Sequence, residues 1–162
     1  MRIALYQPDI PPNTGTILRT AACLGLAVEL IEPAGFEVSD RTLRRAGLDY
    51  IASVVLTRHA SFDAFEDWRA GQPSDEGGSP RLVLLTTKAG LAYTEFSFRS
   101  SDILLLGRES AGVPDAVQAV ADARIKVPMR PGQRSLNVAV AAAMVIGEAL
   151  RQTAGFDGSG PP

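Results

Sequence analysis

Short apolar segments that alternate with stretches of helical spacing restrict the fold of this chain more than any other feature. Residues 81–87 (RLVLLTT) and 102–107 (DILLLG) are almost continuously apolar, which is typical of strands buried on both faces of a parallel sheet. The other predicted strands lie at residues 2–7, 27–31, 53–57 and 124–128. The predicted helices lie at residues 14–24, 39–47, 61–70, 113–122 and 135–152. We therefore predict an α/β fold with a mainly parallel sheet and a ligand site at the carboxyl ends of its strands.

The predicted domain spans residues 1–154 and is followed by a flexible tail at 155–162. A polar, turn-rich segment at 71–80 (GQPSDEGGSP) is predicted to be a loop. Hydrophobic residues make up 46% of the chain and charged residues 21%, the profile of a soluble globular protein. The last helix is shorter than the roughly 20 apolar residues of a membrane span, and the first residues lack a signal-peptide core. We expect a cytoplasmic protein.

Single residues with reactive side chains give little evidence of chemistry. One cysteine, Cys23, excludes an internal disulfide and a cysteine-based zinc site, and we expect it to be a buried small apolar residue. The single histidine, His59, is expected at the surface or beside a helix cap. Phe62, Phe65 and Trp68 follow helical spacing and are expected in the core rather than in a stacking platform. No metal site is predicted.

Positive charge is unevenly distributed, although the net charge is −2. No acidic residue occurs from 123 to 147, where four basic residues lie: Arg124, Lys126, Arg130 and Arg134. A second basic cluster, RTLRR, occupies residues 41–45. Arginine suits bidentate contact with phosphate, but a bias toward arginine in the genome and solvated faces explain each cluster equally well.

Three loops combine glycine or proline with polar side chains after predicted strands. Residues 11–19 (PPNTGTILR) offer Asn13 and Arg19, and residues 104–114 (LLLGRESAGVP) offer Glu109 between two glycines. The second loop matches neither a Rossmann fingerprint nor a P-loop. Taken alone, an ordinary capped helix and an ordinary strand-to-helix turn account for these two loops as well as a site does.

The third loop, residues 126–137 (KVPMRPGQRSLN), places polar residues at the start of the most apolar helix. Ser135 is the expected cap of that helix, with Asn137 in its first turn. The helix is apolar on nearly every face, so its own sheet is expected to cover one side and a second copy of the chain another. The polar turn would then lie at a rim where two chains and a ligand meet.

Together, these three loops resemble the SPOUT class of S-adenosylmethionine-dependent RNA methyltransferases. More narrowly, the chain is similar to the small tRNA ribose 2′-O-methyltransferases that act on the wobble nucleotide, either cytidine or a modified uridine. The resemblance also includes IEPAGF, LRRAGLDY and LTTK, and it covers about nine-tenths of the chain. It implies a carboxy-terminal trefoil knot, a cofactor pocket formed by the knotted loops, and a homodimer.

The resemblance also implies roles for individual residues. The residues matching those around S-adenosylmethionine are Leu85, Gly107, Val127 and Ser135. The residues matching the polar catalytic set are Asn13, Arg19, Glu109, Ser135 and Asn137. We expect Arg19 to hold a phosphate and stabilise developing oxyanion charge, because its guanidinium is not deprotonated in ordinary protein settings. The residues expected to contact tRNA phosphates are Arg41, Arg44, Arg45, Lys88, Arg130 and Arg134.

Two alternatives to the tRNA enzyme stay open at the level of the sequence. A ribosomal-RNA ribose 2′-O-methyltransferase of the same class would use the same loops. A module that binds the cofactor and RNA without transferring a methyl group is the other alternative, although Asn13, Arg19, Glu109 and Asn137 are all present. A small-molecule nucleotide binder is disfavoured, because the phosphate-cradling fingerprint is missing.

Overall fold

A computed structural model describes residues 1–37 and 54–156 of the chain. Its strands are β1 Arg2–Tyr6, β2 Ala27–Ile31, β3 Leu56–His59, β4 Leu82–Leu85, β5 Leu91–Ala92, β6 Ile103–Leu106 and β7 Ala123–Lys126. Its α-helices are α1 Pro11–Leu24, α2 Phe62–Ala70, α3 Asp115–Val120 and α4 Val138–Gln152. A short 3-10 helix, Tyr93–Glu95, follows β5. The predicted helix at 39–47 lies outside the described residues.

The described strands form one sheet in the order β3-β2-β1-β6-β4-β7-β5, and their pairings are parallel. The prediction of an α/β fold with a mainly parallel sheet is therefore confirmed. The chain builds outward from β1 to β3 and then returns to the other side of β1, so the strand order reverses between β1 and β6. Loops at such a reversal separate from each other and leave a crevice at the carboxyl ends of the strands.

Helices cover both faces of the sheet. One core contains α1 and α4 packed on residues such as Ile3, Leu104 and Ile125, and the other contains α2 and α3 packed on residues such as Leu84 and Leu105. The strand residues alternate between these two cores because side chains on a strand point to opposite faces in turn. Phe65 is fully buried and Phe62 and Trp68 pack beside it, which confirms that the aromatic residues of α2 belong to the core.

Helix starts differ from the predictions. Helix α1 begins at Pro11, with Ile10 as its N-cap and no side-chain cap, so the predicted start at residue 14 is wrong. Proline suits this first turn because its missing N–H needs no partner there. The last helix begins at Val138 rather than at 135. Its cap is Asn137, whose side-chain oxygen accepts the backbone N–H groups of Ala139 and Val140, so the prediction of Ser135 as the cap is also wrong.

Of the two positions expected for His59, the surface is wrong, whereas its place beside a helix cap is confirmed, since it lies two residues before Ser61, the N-cap of α2. Its side chain is buried, and its Nε2 lies 2.8 Å from a carboxylate oxygen of the fully buried Glu29. The other Glu29 oxygen accepts a hydrogen bond of 2.8 Å from Arg2, whose guanidinium lies over the ring of Trp68. The Glu29 carboxylate in β2 thus has two side-chain partners, Arg2 and His59, which allows it to be buried in the sheet. Nothing in the sequence indicated that His59 would pair with Glu29.

The predicted burial of Cys23 is also wrong. Cys23 is exposed near the end of α1. The buried side of that helix carries Ile17, Leu18 and Ala21, and Cys23 falls on the opposite side. Because an α-helix turns by about 100° per residue, a small apolar residue two positions after a core residue faces away from the core.

The remaining differences are shifts of boundaries. Strand β3 begins later than the predicted 53–57, and the two-residue strand β5 was not predicted. The segment 71–80 forms turns without a regular helix or strand, as predicted. No helix among the described residues is long and apolar enough to cross a membrane. The trefoil knot and the domain boundary at 154 stay predictions.

Candidate active site at the carboxyl ends of the strands

A cavity of about 600 Å³ lies at the carboxyl ends of β4, β6 and β7, where the sequence predicted a ligand site. Its walls combine apolar side chains with polar groups at one end. The apolar residues include Leu84, Leu85, Val113, Val127, Leu136 and Val138, and the polar ones include Asn13, Thr86, Glu109, Ser135 and Asn137. A cavity of this size and mixed lining suits a ligand of nucleoside size that has a flat apolar part and a polar tail.

The loop after β6 is a tight turn that forms one wall of the cavity. Arg108 and Gly112 exchange backbone hydrogen bonds of 3.0 Å and 2.8 Å across it. Gly112 has φ of +68°, a conformation that favours glycine. A β-carbon on Gly107 would lie 2.7 Å from the carbonyl carbon of Gly112, so only glycine fits at Gly107 without moving the turn.

Asp9 and Glu109 hold the loops after β1 and β6 against each other. The Asp9 carboxylate accepts the backbone N–H of Glu109 at 3.0 Å and of Ser110 at 3.4 Å, and it also binds the Ser110 hydroxyl. In return, the Glu109 carboxylate accepts the backbone N–H of Asp9 at 3.3 Å. Arg108 adds an ion pair to Asp9 at 3.6 Å. This reciprocal bonding, which we name the Asp9–Glu109 clamp, fixes the crevice between β1 and β6.

A line of hydrogen bonds extends from the clamp to the last helix. The Asn13 side-chain nitrogen donates to Glu109 at 3.2 Å, and the Asn13 oxygen accepts from the Asn137 side-chain nitrogen at 2.8 Å. The Asn137 oxygen caps α4 by accepting backbone N–H groups. Each amide is therefore oriented by its neighbours, and the three polar side chains from distant parts of the sequence share one edge of the cavity.

The electrostatics of the clamp are asymmetric. Burial raises the pKa of Glu109 above its ordinary value, and the adjacent Asp9 carboxylate raises it further. The pKa of Asp9 is held well below its usual range, chiefly by hydrogen bonding with the Glu109 side chain and then by Ser110 and backbone N–H groups. Asp9 is thus the fixed anion of the pair, and Glu109 is the group that gains a proton more readily.

The structure brings all the predicted cofactor-binding residues together. Leu85, Gly107, Val127 and Ser135 line the cavity, although they come from the end of β4, the residues directly after β6 and β7, and the loop before α4. Of the predicted catalytic residues, Asn13, Glu109, Ser135 and Asn137 also line it. Ser135 is exposed and so faces the cavity without the cap bond that the sequence suggested.

Arg19 lies apart from these residues. It is exposed on α1 and is not among the residues that line the cavity of its own chain. Lys88 lines the cavity and is exposed, whereas Arg130 and Arg134 are exposed in the loop before α4. The remaining predicted RNA-binding residues, Arg41, Arg44 and Arg45, lie outside the described residues.

Neither Asp9 nor Arg108 was singled out from the sequence. Arg108 lines the cavity, and Asp9 holds the loops after β1 and β6 together. The buried Nε of Arg108 has no hydrogen-bond partner among the described residues. The signal for Asp9 was its position: an acidic residue three positions after the buried strand β1, at the edge where the other site loops begin. Its partner, 100 residues away, could not be identified from spacing.

Comparison with known proteins identifies similar chains. A model of the SpoU rRNA Methylase family matches residues 1–147. The tRNA (cytidine(34)-2'-O)-methyltransferase of Beijerinckia indica is 65% identical over 150 residues, which cover 93% of this chain and 90% of that protein. A structure described as giving structural insights into the 2-OH methylation of C/U34 on tRNA is 42% identical with a TM-score of 0.81, covering 93% of this chain and 89% of that one. A SpoU methyltransferase from Streptomyces viridochromogenes in complex with AdoMet is 28% identical with a TM-score of 0.81, covering 94% of this chain and 60% of that one.

Proposed function

Because the chain belongs to the SpoU rRNA Methylase family, we propose that it transfers a methyl group from S-adenosylmethionine to the ribose 2′-hydroxyl of the wobble nucleotide of tRNA. One observation carries this proposal: the residues matching the cofactor-binding set and, except for Arg19, the polar catalytic set converge on a single cavity at the carboxyl ends of β4, β6 and β7. The wobble position, as cytidine or modified uridine, follows from the relatives of high identity and full coverage.

The cavity fits the cofactor in size and in chemistry. Because Gly107 and Gly112 have no side chains, the wall at this turn consists of backbone atoms, which suits a flat adenine held by main-chain groups. When bound, S-adenosylmethionine supplies a methyl group on a sulfonium. Leu85, Val127 and Gly107 would hold the adenosine part, and Ser135 would bind its polar end.

The chain's own residues have to orient a weak nucleophile. An alcohol reacts only when it lies in line with the methyl–sulfur bond and loses its proton. Asn13 and Asn137, each fixed by hydrogen bonds, would position the ribose, and Glu109 would hold Asn13. Arg19 would hold the adjacent phosphate and stabilise negative charge on the reacting oxygen.

A homodimer completes this proposal. Val140 and Met144 are 52% and 41% exposed, and their spacing of four residues places them on one stripe of α4, while Leu136, 42% exposed, lies just before the helix. Helix α1, which carries the exposed Arg19, packs beside α4. A second copy of the chain would cover the stripe and leave Arg19 at a rim between two cavities. Val140→Asp with Met144→Asp should convert the dimer to a monomer in light scattering, and an unchanged mass would contradict this interface.

The protein is expected to act in the cytoplasm, where tRNA is modified, as one methyltransferase domain over residues 1–154. The function is tested with purified protein, labelled S-adenosylmethionine and two RNA pools, tRNA and ribosomal RNA. Transfer to tRNA alone is the expected result. Transfer to ribosomal RNA alone would support the other enzyme of this class, and cofactor binding without transfer to either pool would identify an inactive binding module.

A further inference from the structure

Apart from Arg19, the described basic side chains divide into two groups. The first group is bound to carboxylates: Arg2, Arg58, Arg69, Arg81, Arg99, Arg108 and Arg151. The side chains of Lys88, Arg124, Lys126, Arg130 and Arg134 form no hydrogen bond or ion pair with the part of the chain that the structure describes. Uncompensated positive charge is therefore concentrated between residues 88 and 134.

Two of these cations lie on a face of the sheet that the proposed function leaves unused. In β7, Ile125 points into the core under α1 and α4, so its neighbours Arg124 and Lys126 point to the face covered by α3. Alternate residues of a strand lie about 7 Å apart. Arg124 is exposed and Lys126 is partly exposed, so both head groups reach solvent along the same edge.

A second cavity, of about 430 Å³, lies beside Arg124 and adjoins the first cavity. It is lined by Lys88, Arg124 and Gln118, and it shares Thr86, Lys88 and Gln118 with the first cavity. One carboxylate, Asp122, lies in its wall. That carboxylate already accepts hydrogen bonds from Arg69 at 3.1 Å and from the backbone N–H of Leu82 at 2.7 Å, so it offsets little of the positive charge.

The geometry points to a phosphate-binding track, formed by Lys88, Arg124 and Lys126, for the tRNA strand that continues from the reacting nucleotide over the α3 face. This inference rests on the proposed function and adds Arg124 and Lys126 to the RNA-binding residues. Cations that have no partner among the described residues and are spaced along one edge suit the successive phosphates of an RNA strand better than they suit a single anion. Such contacts release counterions and fix the register of the RNA without reading its bases.

The test compares Arg124→Ala, Lys126→Ala and the double variant with Arg99→Ala. Arg99 is a suitable control because its loss removes the same charge from an ion pair with Glu76, away from both cavities. Affinity for tRNA is measured across salt concentrations, together with the KM for tRNA, kcat, cofactor affinity and Tm. A parallel titration with inorganic phosphate separates a polyanion track from a site for a free anion.

Each lost contact should reduce the salt slope by about 0.7 to 0.9 and weaken binding about five- to eightfold near 0.1 M salt. The KM for tRNA should rise while kcat, cofactor affinity and Tm stay at wild-type values, and Arg99→Ala should behave as wild type. Equal losses in Arg99→Ala, wild-type tRNA binding in the double variant, or saturation by millimolar phosphate would overturn the track. If the wild-type protein transfers no methyl group to RNA, the proposed function fails instead.

Discussion

Replacing Gly107 with alanine tests whether the turn after β6 forms a wall of the cofactor cavity. The new β-carbon would lie 2.7, 2.9 and 3.0 Å from three backbone atoms of Gly112. Ordinary contact begins at 3.4 Å, so the turn has to open by about 0.7 Å at its closest point. A flexible side chain could rotate away, but these atoms belong to a backbone held by two cross-turn hydrogen bonds.

Overpacking of this kind costs about 1 to 3 kcal/mol. If the turn moves, the cost appears as weaker cofactor binding, about 5- to 140-fold, because 1.4 kcal/mol corresponds to a factor of ten. If the turn stays, the cost appears in folding, and Tm falls by about 2 to 4 °C for each kcal/mol. We expect the two losses together to account for the strain.

The assay is cofactor titration by calorimetry alongside thermal unfolding of the same samples. Gly90→Ala is the matched control, because a β-carbon on Gly90 would have no heavy atom within 4 Å and Gly90 does not line the cofactor cavity. That control should keep wild-type affinity and equal or slightly higher Tm. The reasoning is refuted if Gly107→Ala also keeps both wild-type values.

Four further substitutions test individual side chains of the site. Asn137→Ala should lower the stability of the protein by about 1 kcal/mol through loss of the helix cap, whereas Ser135→Ala should leave it unchanged in urea unfolding; equal losses would argue against Asn137 as the cap. Because the pKa of Glu109 is raised, its contribution to stability is present below about pH 4 and declines as the pH rises through that raised value. The stability of the wild type relative to Glu109→Gln should therefore fall as the pH rises above about 4, and a constant or rising difference would count against the burial of this carboxyl. Arg19→Lys should reduce kcat/KM for tRNA at least about tenfold because lysine lacks the bidentate fork, and near-full activity would rule out that role.

The sequence predicted the layers of the fold because strand and helix periodicities are local. The segments 81–87 and 102–107 needed only their apolar character to be placed inside a parallel sheet, and the structure confirms both. Helix boundaries were less certain, since Ser135 and Asn137 are both good caps and the choice depends on the path of the preceding loop. That path is set by Asn13, 124 residues away, which binds Asn137.

Site residues that belong to sequence motifs could be predicted, whereas contacts between residues far apart in the chain could not. Leu85, Gly107 and Val127 share a wall because the strands before them are parallel and end at the same edge. The Asp9–Glu109 clamp and the His59–Glu29 pair depend on contacts between distant residues, which neither composition nor spacing encodes. His59 is buried because it pairs with Glu29 in β2, and nothing in the sequence distinguishes Glu29 from the other acidic residues.

Direct mapping of the methyl group on tRNA tests the central claim most sharply. Two copies of the same tRNA are compared, one with cytidine and one with 2′-deoxycytidine at the wobble position, each incubated with protein and S-adenosylmethionine and then analysed by nuclease digestion and mass spectrometry. The account predicts one methyl group on the wobble ribose of the first tRNA and none on the second. Methylation of the deoxy substrate, or of a different nucleotide in both, would contradict it.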